Sequence, residues 1–405
     1  MLPGFRTKSQ PRRVPHNASG LPERNDVVSI EPSLRARTFI LADDLTGACD
    51  AAVAFSSRGA STLVMFDADS FEDTEAEVCA ICTETRDIPA EQAVETLHRI
   101  AQRPELELYD QVFKKIDSVF RGNTFHEVQA AVEAFPTRFA VIAPAYPALG
   151  RISADGMLSV RDITGETSIP VRERLHATGL RPRWIAAGQS AQEIERQMSQ
   201  SLREGVRVAF CDAVTEQDLH ATVQAARALQ TNILWIGSAG LAHALAADIP
   251  SRTLRAEGSA GGVLLIFAGS DHPVTQSQMT ALHQQHSVLT WPAVCTDNAP
   301  TAILFRIDRG ETTEDEIRTA VSSFSPQTVS CLFMTGGDTA MLVCRALGIH
   351  SLCLHDEFEP GLPQGTAVGG SFAGCNVILK SGGFGQIDVL SRIATHFCPK
   401  KEDVQ

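Results

Sequence analysis

The chain has 405 residues, 43% of them hydrophobic, and a formal net charge of −13. That length suits two domains, or three, with substantial cores. The acidic balance argues against a nucleic-acid or anionic-membrane surface, and no apolar run is long enough to span a bilayer. We therefore predict neither nucleic acid nor a membrane as a partner.

The ten cysteines are scattered, many of them inside apolar runs. Cys79 and Cys82 have a CxxC spacing without a second pair, which favours buried thiols over a metal site. Free thiols are typical of a reducing compartment, and the amino terminus lacks the apolar core of a secretion signal. We therefore predict a cytoplasmic protein.

Residues 1–36 differ in composition from the rest, being rich in Pro, Ser, Arg and Asn with little periodic apolarity. This composition predicts a disordered extension. A transit peptide is the alternative, but four prolines fit an amphipathic helix badly.

From Thr38 onward, short β-branched runs alternate with helical stretches, a rhythm that predicts a largely parallel sheet covered by helices. Residues 150–200 are less regular. We assign 37–250 to a first domain and 251–261 to a polar linker. The strands expected in the first domain are Thr38–Ala42, Leu63–Phe66, Val78–Cys82, Val112–Ile116, Phe139–Ala143, Arg207–Cys211 and Ile233–Ile236.

A second α/β unit is predicted over 262–396, followed by a tail at 397–405. Thr313 and Glu316 have capping-box spacing before one of its helices. Its expected strands are Val263–Ala268, Val329–Met334 and Val377–Lys380. The predicted fold class is α/β, with two domains that face each other across an active-site cleft. In such sheets ligands bind at the carboxyl ends of strands.

Two adjacent aspartates, Asp43 and Asp44, follow the first strand and precede a helix. A carboxylate there can orient a hydroxyl, take its proton, or help to hold Mg²⁺ through water. Thr46 and Gly47 are expected to supply the helix cap and a close backbone approach. The alternative is a simple capping turn.

A polar run follows the strand that ends at Ile116. Lys114 and Lys115 should point to opposite faces, so that one of them reaches a ligand. The residues after this strand can form a polar cup for a hydroxylated acid, with Arg121 gripping a carboxylate through two bonds. The alternative is a solvated loop with an internal Asp–Arg pair. The cup residues are Asp117, Ser118, Arg121 and Asn123.

Two further arginines follow strands. Arg86 comes after Val78–Cys82, and Arg151 comes after a stiff loop that contains Pro144 and Pro147. Each is a candidate contact for an anion, and a surface arginine or a plain turn is the alternative.

The second unit has three Gly-rich turns after strands, where bare amides and the helix dipole favour phosphate. None is a Walker A or GxGxxG motif, and each alone could be just a turn. No His/carboxylate set has metal-ligand spacing, so we predict no protein metal site and expect Mg²⁺ to arrive with the nucleotide. The candidate nucleotide contacts are Ser270, Thr335, Gly336, Gly337, Asp338, Thr339, Ser381, Gly382 and Gly383.

In this order, the segments resemble the four-carbon acid sugar kinase family. The matching pieces are residues 42–48, 85–86, 114–118, 121–123, 143–147, 150–151, 237–241, 269–270, 336–339 and 380–385. The resemblance implies an amino-terminal acid-sugar domain, a carboxy-terminal nucleotide domain, and ATP-dependent phosphorylation of threonate, erythronate or a 3-oxo-tetronate.

The resemblance also implies sugar-acid contacts at Asp43, Asp44, Arg86, Lys115, Asp117 and Arg121, and nucleotide contacts at Ser270, Thr335–Asp338 and Gly383. Two departures bear on the substrate: Val119-Phe120 stands where the family usually has Thr-Leu, and the segment after Arg151 is shorter.

We predict that Asp44 or Asp43 takes the proton from the sugar hydroxyl, with Asp117 as the alternative. The predicted partners are a sugar acid and ATP with Mg²⁺, and a homodimer is left open. The rival functions are a non-catalytic sensor of the same ligands and, less favoured, a dehydrogenase on tandem Rossmann-like domains.

Overall fold

The computed structural model describes residues 36–67, 74–162, 165–250, 262–292 and 302–398. Apart from its last residue, the predicted extension at 1–36 lies outside these ranges, as do the predicted linker at 251–261 and nearly all of the tail. Those three predictions therefore stay predictions.

The first stretch alternates strands and helices, as the β-branched runs predict. The helix expected after Asp43 and Asp44 begins at Leu45, because Asp44 caps it. Its elements are β1 Thr38–Ala42, α1 Leu45–Ser56, β2 Thr62–Met65, β3 Val78–Cys82, α2 Ala90–Ala101, β4 Gln111–Lys115, α3 Thr124–Ala134 and β5 Phe139–Ala143.

The segment at 150–200 contains regular secondary structure that its irregular sequence pattern does not predict. Strands β6 (Arg151–Ala154), β7 (Met157–Asp162) and β8 (Gly165–Ile169) form a separate antiparallel sheet. Strand β8 is mostly exposed and reads GETSI, so it lacks an apolar pattern. The elements from here to the middle of the chain are β6 Arg151–Ala154, β7 Met157–Asp162, β8 Gly165–Ile169, α4 Val171–Ala177, β9 Arg183–Ile185, α5 Ala191–Arg203, β10 Val208–Cys211, α6 Glu216–Ala228, β11 Ile233–Gly237 and α7 Ala239–Ala246.

The last stretch repeats the strand–helix alternation. The Thr313–Glu316 capping box predicted before α9 is present with both reciprocal hydrogen bonds. The elements are β12 Val263–Ala268, α8 Pro273–Gln285, β13 Val288–Thr290, β14 Ala302–Arg306, α9 Glu314–Ala320, β15 Val329–Thr335, α10 Gly337–Leu347, β16 Ser351–Glu357, β17 Pro363–Val368, β18 Asn376–Lys380 and α11 Val389–Phe397.

One fifteen-stranded sheet runs through both halves. Its order is β13-β14-β12-β15-β18-β17-β16-β2-β3-β1-β4-β11-β5-β10-β9. The pairs are parallel except around β16 and β17, and β16 pairs antiparallel with β2. The predicted mostly parallel α/β architecture is confirmed. The antiparallel seam between β2 and β16, which joins the two halves, was not predicted.

Helix α1 lies at the centre of the molecule, and all of its twelve residues are buried. Its small side chains, such as Ala48, Ala51 and Ala52, allow close packing on every side. It packs against α7 and β3 of the first half and against β16 and α10 of the second. The amino terminus of α1 is therefore held at the boundary between the halves. Within the described ranges, no helix combines the length and apolarity that crossing a bilayer requires.

Candidate functional site

The predicted polar segments meet at the carboxyl ends of the strands. β1 ends at Ala42 and β4 at Lys115 in the first half, while β15 ends at Thr335 and β18 at Lys380 in the second. Within each half the strands are parallel, so the loops that follow them share an edge. Strands β16 and β17 reverse the strand direction between the halves. The loops of the two halves nevertheless meet, as the 3.3 Å contact between the Thr46 and Ser381 hydroxyls shows.

Arg86 joins the three aspartates of the first half. Its Nε and Nη2 donate to Asp43 at 2.7 and 3.1 Å, and its Nη1 and Nη2 donate to Asp44 at 2.8 and 2.9 Å. The Nη2 atom also lies 3.3 Å from Asp117 Oδ2. Arg86 therefore organises the carboxylates, and its predicted direct contact with substrate stays a prediction.

Asp44 caps α1, a role that the sequence analysis gave wrongly to Thr46 and Gly47. Its Oδ1 accepts from the Gly47 amide at 2.9 Å, and its Oδ2 accepts from the Thr46 hydroxyl at 2.7 Å. Aspartate is preferred here because its short carboxylate reaches the bare amides of the first turn. Although burial raises the pKa of Asp44, Arg86 and Thr46 hold that pKa below its usual value. Asp44 is therefore ionised at neutral pH.

Asp43 is in a different electrostatic state from its neighbour. Burial raises the pKa of Asp43, and the Arg86 guanidinium offsets only part of that rise. The adjacent charge of Asp44 raises it further. The two carboxylates are thus pushed apart in pKa, as is common in acid–base pairs.

Asp117 and Arg121 form the internal pair that was the alternative interpretation of this loop. Arg121 donates to Asp117 Oδ2 through Nε at 3.0 Å and Nη2 at 2.6 Å. The amides of Val119 and Arg121 both donate to Asp117 Oδ1 at 3.0 Å. Burial opposes ionisation, but Arg121 and these bonds hold the pKa of Asp117 well below its usual value. Five contacts leave Asp117 little capacity to accept a proton. The Arg121 side chain is 60% exposed, so its other edge is free to meet a ligand.

Lys114 and Lys115 lie on opposite faces of the sheet, as predicted. Lys114 is buried beside α3 and pairs with Glu127 at 2.8 Å. Lys115 lies under α1, where its Nζ is 4.0 Å from Asp50 Oδ2 and donates to the Ile116 carbonyl at 3.0 Å. Lys115 is therefore the one that reaches the site.

Asp50 was missed by the sequence analysis. It is 5% exposed, and its Oδ1 has no hydrogen-bond partner among the described residues. Burial raises its pKa to about 6, while Lys115 lowers it. A buried acceptor without a partner calls for a ligand or water to satisfy it. Its position one turn beyond Thr46 was the signal in the sequence, since i and i+4 share a helix face.

Arg151 lies at the start of β6 and is buried. Its guanidinium stacks on the ring of Phe384 from the second half, 4.9 Å from the ring centroid, and its Nη1 donates to the Leu149 carbonyl. Its Nε has no hydrogen-bond partner in the described structure. Burial lowers the pKa of Arg151, and the charge of Asp50 opposes this. Arg151 and Asp50 thus offer a donor and an acceptor close enough to influence each other.

Two predicted substrate contacts have other surroundings. The Asn123 side chain does not cap α3 but donates to the carbonyls of Thr85 and Ile88 at 2.8 and 2.7 Å, which fixes the Arg86 loop. Ser118 is half-buried beside Asp117. Substrate contacts by either residue stay predictions.

The Gly-rich turns of the second half converge. A Cβ on Gly382 would lie 2.2 Å from Ser270 Oγ, and one on Gly269 would lie 2.2 Å from Thr339 Oγ1. Gly336 begins α10 with φ +100°, a backbone conformation that favours glycine. These positions require glycine because a neighbouring side chain takes the space of a Cβ. Gly-rich turns of this kind can bind phosphate through their backbone amides, so nucleotide contacts here stay predictions.

The other predicted nucleotide contacts are less uniform. Thr335 is buried at the end of β15, and its Oγ1 has no partner in the described residues. Asp338 is 63% exposed and pairs with Arg309 at 2.9 Å. In the part of the chain that the structure describes, no group of three or more metal-ligating side chains occurs. The arrival of Mg²⁺ with the nucleotide stays a prediction.

The two halves of the site touch directly. A Cβ on Gly337 would lie 2.5 Å from Asp44 Oδ2, so the first turn of α10 abuts the carboxylate that caps α1. The hydroxyls of Ser381 and Thr46 are 3.3 Å apart. Of the three aspartates that Arg86 joins, Asp44 is therefore the one that contacts a glycine turn of the second half.

Sequence comparisons divide the chain in the same way. A family model described as a sugar-binding N-terminal domain matches residues 38–182 and 171–245. A second, described as a nucleotide-binding C-terminal domain, matches residues 292–390.

Similar proteins cover nearly the whole chain. It is 30% identical over 420 residues to the D-threonate kinase of Salmonella typhimurium, across 89% of this chain and 99% of the relative. It is 25% identical over 420 residues to the D-erythronate kinase of Heliobacterium modesticaldum, across 86% and 94%. The solved Haemophilus influenzae protein HI1011 superposes with a TM-score of 0.67 at 20% identity, over 89% of this chain and all of that one, and so has the same fold.

Proposed function

Because the chain belongs to the four-carbon acid sugar kinase family, we propose that it transfers the γ-phosphoryl group of ATP to a hydroxyl of a four-carbon sugar acid. D-threonate is the first candidate, since the D-threonate kinase is the more similar of the two relatives described above. Erythronate and a 3-oxo-tetronate are the other candidates.

The observation that carries this proposal is the contact between Asp44 and the first turn of α10 at Gly337. A carboxylate able to accept a proton lies against bare amides able to hold phosphate. Phosphoryl transfer needs little more from a protein than such positioning and charge neutralisation.

In the proposed reaction the hydroxyl oxygen forms a bond to the γ-phosphorus, and the bond from that phosphorus to the β–γ bridging oxygen breaks. The hydroxyl proton passes to Asp44, and ADP leaves. Mg²⁺ bound with the nucleotide would neutralise phosphate charge. Asp43 is the second candidate base and Asp117 the third. Asp44 is placed first because it contacts the first turn of α10, although its carboxylate, like that of Asp117, accepts several hydrogen bonds.

The substrate carboxylate would bind to Arg151 and the exposed edge of Arg121. Arg151 offers a buried Nε without a partner, and Arg121 keeps most of its side chain in solvent. A substrate hydroxyl would satisfy Asp50 Oδ1, with Lys115 beside it. Paired donors and acceptors of this kind give selectivity, since an analogue that lacks one hydroxyl leaves a buried group unpaired.

A coupled ADP assay tests the proposal. The protein is mixed with ATP, Mg²⁺ and a panel of D-threonate, L-threonate, D-erythronate and 3-oxo-tetronates. ADP formation that depends on one of these acids is expected. Binding of nucleotide and acid without ADP formation would instead favour the sensor.

A further inference from the structure

Lys380 is a buried cation that the proposed reaction does not use. It ends β18, and its side chain is 0% exposed. Its Nζ donates to Thr275 Oγ1 at 3.1 Å, to the Ser381 carbonyl at 3.1 Å and to the Gly382 carbonyl at 2.9 Å. All three acceptors are neutral. No ion pair of Lys380 with a carboxylate occurs in the part of the chain that the structure describes.

These bonds set the direction of the glycine turn. The carbonyls of Ser381 and Gly382 point inward to the ammonium. In a trans peptide the N–H points opposite to the C=O, so the amides of Gly382 and Gly383 point away from Lys380. Ser270 Oγ and the His272 ring lie next to these two glycines, since added Cβ atoms would come within 2.2 and 3.2 Å of them. Successive outward amides beside a hydroxyl form an anion site.

The charged groups around Lys380 are few. His272, at the start of α8, faces Lys380. Burial lowers the pKa of the His272 imidazole, and the charge of Lys380 lowers it further. Asp271 in the same turn is exposed. On α10, Asp338 is exposed and paired with Arg309. From the first half, Asp44 lies beyond the Thr46–Ser381 contact and is held by Arg86.

We propose that Lys380 is a positioning residue that links nucleotide binding to uptake of a proton. Phosphate on the outward amides of Gly382 and Gly383 would keep the ammonium charged, and the charged ammonium would keep those amides outward. This inference rests on the proposed nucleotide site.

The protonation state of the free protein supports the link. Burial lowers the pKa of Lys380 to about 7. Near pH 8, molecules without an anion are therefore expected to carry mostly the neutral amine, whose two N–H groups cannot serve all three acceptors at once. A nearby phosphate dianion favours the charged form, so each binding event takes one proton from the buffer.

The test is titration calorimetry of the full chain with a non-hydrolysable ATP analogue and Mg²⁺ at pH 8, in buffers of different ionisation enthalpy. The slope of the observed heat against that enthalpy should show uptake of nearly one proton. Above pH 8 the affinity should fall by about tenfold per pH unit. A slope near zero in the wild-type protein would overturn the proposal.

Three variants assign the proton. Lys380→Met should abolish the uptake and weaken nucleotide binding by about tenfold, while Lys380→Arg should abolish the uptake but retain more affinity, because arginine stays charged. His272→Gln should keep the uptake. Uptake that disappears in His272→Gln and persists in Lys380→Met would refute the assignment.

A second readout needs no nucleotide. Because the pKa of Lys380 is lower in the folded than in the unfolded chain, its burial destabilises the protein most below pH 7. The cost disappears as the pH rises from about 7 to 10. The wild-type melting temperature should therefore rise relative to that of Lys380→Arg over this range, and parallel curves would contradict the inference. ADP formation by a wild-type protein that takes up no proton would sink the Lys380 role alone, leaving the kinase proposal intact.

Discussion

The two sides of the site differ in what they are made of. On the first-half side, Asp43, Asp44, Arg86, Asp117 and Arg121 form a network of charged side chains that satisfy one another. The second-half side is made of glycine turns with one hidden cation. The first side can distinguish hydroxyls and carboxylates, whereas the second offers amides that suit any phosphate chain.

This difference teaches that the two sides should fail in different ways. Removing a charge on the first side leaves a partner unpaired and changes chemistry or selectivity. On the second side, one added methyl group should be enough to lower activity, because there the backbone itself is expected to approach the ligand.

The largest expected effect comes from Asp44→Asn. Asparagine keeps the shape and can still cap α1, but it cannot take a proton. Turnover in the coupled ADP assay should fall by about a thousandfold. The variant should still fold, but its melting temperature should fall because Arg86 loses a charged partner, so turnover is measured on folded protein.

Asp43→Asn is the matched comparison for that variant. If turnover stays near normal in both variants, the base is neither residue, and Asp117 becomes the candidate. Because the pKa of Asp44 lies below its usual value, activity should not decline through this group between pH 8 and pH 5.

Gly337→Ala should come next. Its Cβ would lie 2.5 Å from Asp44 Oδ2, so α10 and the carboxylate have to separate. A displacement of this size should lower turnover by about a hundredfold. Gly365→Ala is the control. Its Cβ would lie 2.5 Å from the Cys353 carbonyl oxygen, in a part of the sheet that is remote from the site. It should lower the melting temperature but not the turnover of folded protein. Equal turnover losses in both would mean that the Gly337 effect is only destabilisation.

Asp50→Asn should have a smaller effect, on the sugar acid alone. We expect its KM to rise by about tenfold while the KM for ATP is unchanged, because one hydrogen bond to a charged acceptor is weakened. The pKa of Asp50 is about 6, so the wild-type KM should fall as the pH rises through 6 and the carboxylate ionises. An unchanged pH profile in the variant would remove Asp50 from the substrate site.

The smallest effect should come from Arg309→Ala. Arg309 is 70% exposed and bridges Asp87 of the first half and Asp338 of the second, at 2.8 and 2.9 Å. Exposed ion pairs are screened by solvent, so the free energy of unfolding measured in urea should change by less than about 1 kcal/mol. Arg318→Ala is the control, because it breaks ion pairs within α9 and one hydrogen bond to the Ala346 carbonyl but no contact between the halves. A tenfold turnover loss in Arg309→Ala alone would show that this bridge aligns the two sides.

Most of the parallel sheet could be predicted from the sequence because its strands are buried on both faces. Val78–Cys82, Phe139–Ala143 and Val263–Ala268 were predicted with the bounds that the structure gives them. Strand β8 could not be predicted, since it is exposed and polar, and the pairing of β16 with β2 is a long-range contact.

The sequence predicted which residues lie at the site better than it predicted the hydrogen bonds between them. Asp43, Asp44, Arg86 and Asp117 do come together, because their segments all follow strands. That Arg86 would bind all three carboxylates depends on a loop path that no local pattern encodes. Asp50 was missed, and Lys380 was noted only as the first residue of a Gly-rich loop, because a charged residue in or at the end of an apolar run reveals its role only through its burial.

The β2–β16 seam has a consequence for how this chain can be cut. If the halves were produced as separate polypeptides, each would expose a strand with a row of unpaired N–H and C=O groups. Such unpaired edge strands form hydrogen bonds with other chains, which leads to aggregation. The molecule is therefore a poor candidate for complementation from fragments, although its two chemical tasks divide cleanly between them.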